Sequence, residues 1–125
     1  MGHIFKNKPF QRWMSHTHLT DKELIQAVVE MQMGLVDANL GAGLFKKRIA
    51  IAGKGKSGGF RTMIASNQLD KWFFIFGFEK NQMNNIAIDE LTALKNYSKI
   101  LLKLTEEQLA IATQNGSLIR VHHDK

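Results

Sequence analysis

Apolar residues recur at helical spacing in some stretches of this chain and cluster or alternate in others, and that change of period marks out its elements. Thr20-Asp21-Lys22-Glu23 has the form of a capping box, in which Thr20 accepts from a free backbone N–H and Glu23 reaches back to the cap. Leu24, Ala27, Val28 and Met31 follow at helical spacing and Gly34 is a stop, which predicts a helix over 21–33. Residues 39–43 read as a loop. "LFKKRIAIA" (44–52), "FRTMIAS" (60–66) and "KWFFIFGF" (71–78) read as strands, with "NQLD" (67–70) as a turn. In the first strand Lys46 and Arg48 project from one face, and Phe45, Lys47, Ile49 and Ile51 from the other. Trp72 to Phe76 are apolar on both faces, which favours a central strand over an edge.

A second helical pattern opens at Asp89 and Glu90 and runs through Leu91, Leu94, Leu101 and Leu104. Thr105-Glu106-Glu107-Gln108 is another capping box, opening a short helix that ends near Asn115-Gly116. "SLIRV" is either a last strand or coil, and "HIFKNKPFQRW" predicts a short strand broken by Pro9. The expectation is one α+β domain over residues 1–125, with a small, mostly antiparallel sheet and helices packed on one side.

Composition narrows the function. The net charge is +6, and between Gly41 and Leu69 there is no Asp or Glu, while Lys46, Lys47, Arg48, Lys54, Lys56 and Arg61 all lie there. Those six equal the whole excess, since the other 11 basic residues match the 11 acidic ones. Basic residues concentrated in one acid-free block suit a surface that meets phosphates, whereas a solvated face usually mixes its charges. The chain has no cysteine, so disulfide and thiolate chemistry are excluded, and a reducing cytoplasm is compatible. It has no apolar run of membrane-spanning length, and its first residues lack the apolar core of a signal peptide.

"GKGKSGGFR" (53–61) resembles a phosphate loop, but Ala50 stands where a P-loop needs its first glycine, and a strand rather than a helix follows. The glycines instead predict a basic hairpin between two strands. Such a hairpin suits a polynucleotide. Lys47, Lys54 and Lys56 would neutralise phosphates, with Phe60 and Phe78 as base-stacking candidates whose alternative is core packing. His16 and His18 lack a nearby third ligand, so no metal or other cofactor is expected.

"GLFKKRIAIAGKGKSGGFRTMIA", "WFFIFGFEKNQMNNI" and "DELTALKNYSKILL", in that order, resemble the RelE/ParE superfamily of type II toxin–antitoxin toxins, in particular its RelE/HigB-like branch. The resemblance covers most of residues 20–104. It implies a RelE-like, microbial-ribonuclease-type fold and a cytoplasmic toxin that enters the ribosomal A site and cuts messenger RNA. It also implies neutralisation by a cognate antitoxin of the helix-turn-helix or ribbon-helix-helix kind. Attack of a 2′-hydroxyl on the adjacent phosphate needs a base, cations for the developing charge, and an acid for the 5′-oxygen. No histidine lies between residues 18 and 122, and the family uses lysine and arginine. By resemblance, Lys46 and Arg48 match the cationic positions of the first core strand, Arg61 matches the transition-state phosphate clamp, and Lys80 matches the basic position after "FGF". The archetype's tyrosine has no counterpart in "NQMNNIAI", which leaves open the group that orients the 2′-hydroxyl. Crowded cations favour the neutral form of a neighbouring lysine, which makes a lysine base plausible, and Glu79 is a second candidate, against a surface ion-pair role. Two further functions compete: a ParE-like gyrase poison, which needs no phosphate-cleaving cluster, and a non-catalytic RNA- or DNA-binding regulator.

Overall fold

The computed structural model describes residues 2–51, 55–79 and 87–122, and of residues 51 and 55–58 only the backbone. The order is β1 (His3–Asn7), α1 (Lys8–Met14), α2 (Asp21–Gln32), β2 (Ala38–Gly41), β3 (Leu44–Ile51), β4 (Gly55–Ser66), β5 (Lys71–Glu79), α3 (Ile88–Leu102), α4 (Glu106–Gln114) and β6 (Leu118–Val121). The strands form one sheet in the order β2-β3-β4-β5-β1-β6. Only β1 and β5 pair in parallel; the other neighbours are antiparallel, and β5 is interior, as its two apolar faces predict.

The α+β class and the mostly antiparallel sheet are as expected, and so is a layer of helices on one side, made by α1 and α2. There Phe10, Leu24, Val28 and Met31 pack on Phe45, Ile49, Phe60, Ile64, Trp72 and Phe74. Alternate residues of the same strands, Leu44, Met63, Phe73 and Ile75, form a second cluster with Leu101 of α3 and Leu109 of α4. An interior strand that is apolar throughout needs this second cover.

The expected short N-terminal strand is β1, and beyond it Pro9 does more than break the strand, because it opens a helix. Asn7 is the N-cap, its side-chain oxygen accepting from the Phe10 N–H at 2.8 Å, and Pro9 occupies the first turn, where its missing N–H costs nothing. Residues 39–41 are not loop but part of β2, a short edge strand paired to β3 (Ala38 opposite Lys46), turning through Gly41, Ala42 and Gly43 at positive φ. The "SLIRV" tail is a strand, β6, antiparallel to β1.

β3 and β4 pair antiparallel as predicted, and β4 begins earlier than expected. β4 already begins at Gly55, opposite Ile51, so "GKSGG" is strand. Gly59 explains why glycine stands there. A Cβ at that position would lie 2.0 Å from the Ile49 carbonyl oxygen, where the pairing shifts register.

Candidate functional site

Antiparallel pairing sets side chains directly opposite one another on a common face. Arg48 on β3 is paired with Arg61 on β4, Arg61 with Phe78 on β5, and Lys46 with Met63. Lys46, Arg48 and Arg61 therefore share the face that bears α3 and α4. Opposed residues lie about 5 Å apart at Cβ, so the two arginines are immediate neighbours. Like charges so placed are unfavourable, and among the described residues Asp37 is the acid paired with Arg48. Asp37, just before β2, lies 3.6 Å from the Arg48 Nε and also accepts from the Arg48 backbone N–H. Sequence reasoning had no signal for Asp37 beyond its position next to the first acid-free block.

Lys46 is half-buried and has no carboxylate partner among the described residues. Arg61 is half-buried too, and one of its terminal nitrogens is buried with no hydrogen-bond partner among the described residues. An unpartnered guanidinium N–H is costly in water-poor surroundings and is relieved by an anion. The three cations thus make a positive face held open by β-pairing.

Other expected contacts fall elsewhere. Lys47 does not face solvent. It is 2% exposed, and its Nζ pairs with Glu30 Oε1 of α2 at 2.7 Å, while Thr62 Oγ1 donates to its carbonyl at 2.9 Å. The strand period puts Lys47 with Phe45 and Ile49, on the face that α2 covers, and this removes it from the RNA-contact set. Phe60 and Phe78 are also corrected: both rings are buried, Phe60 edge-on to Trp13 and Phe78 against Phe76, so neither offers a face to a base. Glu79 is paired with Phe60 and so belongs to the face opposite the three cations, which argues against it as their base. Lys54 and Lys80 lie outside the described residues, as does the side chain of Lys56.

A shallow cleft of about 70 Å³ adjoins Arg48, lined by Glu23, Gln26, Glu30 and Ile49. Its carboxylates make it a seam of α2 rather than a phosphate pocket. Among the described residues no group of three His, Asp or Glu is placed to hold a metal, and no helix is long and apolar enough to cross a membrane.

Compared with models of known families, residues 2–121 match the RelE toxin of the RelE/RelB toxin–antitoxin system. The chain belongs to the RelE toxin family. It is a toxin of the toxin–antitoxin class, and an antitoxin is its implied partner. No curated protein matches it. The β3–β4 register puts Lys46, Arg48 and Arg61 on one face, and Lys80 lies outside the described residues.

Proposed function

We propose that this RelE-family chain is a ribosome-dependent, metal-independent endoribonuclease that cuts messenger RNA in the A site and so arrests translation in the cytoplasm. RelE-family toxins are in general endoribonucleases. The observation that carries the reading is the shared face of Lys46, Arg48 and Arg61, with an Arg61 nitrogen that is buried and has no hydrogen-bond partner among the described residues. The 2′-oxygen forms a bond to the adjacent phosphorus, the bond to the 5′-oxygen breaks, and the hydroxyl proton leaves to a base. Arg61 and Arg48 hold the non-bridging oxygens as charge builds on them. Lys46 faces the attacking hydroxyl. Lys80 protonates the departing 5′-oxygen or binds a flanking phosphate. Lys54 and Lys56 contact ribosomal or messenger RNA. A helix-turn-helix or ribbon-helix-helix antitoxin neutralises the toxin.

Induction in a bacterial host, followed by primer extension, tests this. Growth arrest with new 5′ ends in translated transcripts, both lost in Arg61→Ala and Lys46→Ala, is the expected result. Arrest with DNA-damage signalling and intact transcripts would instead indicate gyrase poisoning. Salt-sensitive RNA binding without cut product would indicate a non-catalytic regulator.

A further inference from the structure

Between Glu90 and Glu106 the chain again has no acidic residue, and in that stretch Lys95, Lys99 and Lys103 recur every fourth position. Four residues advance a helix by about 6 Å and turn it by little more than a full circle, so Lys95 and Lys99 on α3 and Lys103 at its C-cap form one ridge about 12 Å long. Lys99 and Lys103 are exposed and Lys95 is half-buried. None has a carboxylate partner among the described residues, whereas Lys6, Lys47 and Lys71 each do. Like charges four apart destabilise a helix. The macrodipole accounts for Lys99, in the last turn, but not for Lys95 in mid-helix or for the missing acids.

The ridge lies on the same side of the sheet as the cationic face. Leu101 of α3 belongs to the same buried cluster as Leu44 and Met63, and Met63 is the cross-strand partner of Lys46. Ser98 Oγ donates to the Ala42 carbonyl at 2.9 Å, and Lys95 Nζ approaches Gly41, so this half of α3 is fixed over the β2–β3 turn. Arg48, Arg61 and Lys46 thus share one side of the sheet with the helix that carries Lys95 and Lys99 and ends at Lys103.

We propose that the α3 lysines continue the cationic face as a track for an RNA sugar–phosphate backbone, so that the toxin holds RNA well beyond the bond it cuts. The proposal rests on the endoribonuclease reading for its direction, but binding can be tested without cutting. The backbone belongs either to the messenger or to ribosomal RNA, and both supply the same phosphodiester chemistry.

The test compares wild type with Lys95→Gln/Lys99→Gln/Lys103→Gln and, separately, Lys99→Glu. Binding is titrated over a range of salt, once on a 2′-O-methyl single-stranded RNA, which cannot be cut, and once on purified ribosomes without messenger. Each phosphate contact on a single strand contributes about 0.7 to the slope of log affinity against log salt, so the triple variant should lose about 2. Loss on the single strand places messenger on the ridge, and loss on ribosomes alone places ribosomal RNA there; either supports the track. Unchanged affinity and slope on both, in variants whose melting matches wild type, would overturn it. So would weakened antitoxin binding with RNA binding intact, because the ridge would then be a docking face for an acidic protein. A wild type that binds RNA but never cuts would overturn the endoribonuclease reading while leaving the track to its own result.

Discussion

Lys47 sits between two proposed site residues yet points into the core, and removing its partner gives a sharp prediction. Glu30→Ala leaves an ammonium that is 2% exposed without its carboxylate 2.7 Å away. Breaking a buried pair from one side costs about 3–5 kcal/mol, because the remaining charge is left uncompensated. The Glu30 side chain is 22% exposed, so water can partly replace it, and the lower end, about 3 kcal/mol, is expected. Against a total stability of roughly 5–15 kcal/mol that is a large share. At roughly 4 °C per kcal/mol for a chain of this size, melting should fall by about 12 °C. Lys47→Met removes the charge and keeps the aliphatic stem, and should cost about 1 kcal/mol or less. Urea denaturation reads both, with the midpoint moving and the slope constant. On the proposed nuclease reading, the Lys47→Met variant should also keep RNA cleavage near wild type, because this side chain is buried against α2. Equal losses in Glu30→Ala and Lys47→Met, or a Glu30→Ala loss below about 1 kcal/mol, would refute the idea that a stranded buried charge sets the cost.

Gly59→Ala places a methyl against the Ile49 carbonyl and should cost about 1–3 kcal/mol, together with cleavage activity, as Arg48 and Arg61 lose their register; a wild-type melting curve would contradict this. Thr105→Ala removes the acceptor for the Gln108 N–H at 3.1 Å and should cost about 1 kcal/mol, with faster amide exchange confined to the start of α4. Burial raises the Glu23 carboxyl, but hydrogen bonds from the Thr20 hydroxyl and N–H outweigh it and hold the group below its ordinary 4.5. A depressed carboxyl stabilises the fold above the unfolded value and loses that contribution as pH falls through the folded one. Glu23→Gln should therefore be less stable than wild type at pH 7, with the gap closing in acid; a gap independent of pH would show that ionisation is not its source.

The periodic elements were legible because their signals are local. α2 and α4 open on capping boxes, α3 opens on Asp89 and Glu90, and apolar residues recur at helical spacing in α2 and α3, while β3 and β5 carry their face pattern openly. α1 was hidden by Pro9, whose helix-breaking property depends on position; Asn7 two residues earlier, and Phe10, Trp13 and Met14 after it, were the readable signal. β2 is four residues long and becomes a strand only by pairing with β3, so nothing local marks it. At the site, strand alternation already grouped Lys46 with Arg48 and set Lys47 with Phe45. What it could not supply was the layer above. Only the position of α2 decides that Lys47 is clamped by Glu30, and only the packed clusters decide that Phe60 and Phe78 are closed to bases. The convergence of Arg61 on Arg48 is likewise a matter of register between strands.

On the proposed reading this convergence cleaves RNA, and the ends of the product test it most directly. Programmed ribosomes with a defined codon in the A site are incubated with the toxin, and the fragments are typed at both ends. Attack by the 2′-hydroxyl predicts a 2′,3′-cyclic phosphate on one fragment and a 5′-hydroxyl on the other, with Arg61→Ala slower by roughly 100- to 1,000-fold. A 5′-phosphate, or a folded Arg61→Ala that cuts at the wild-type rate, would contradict it.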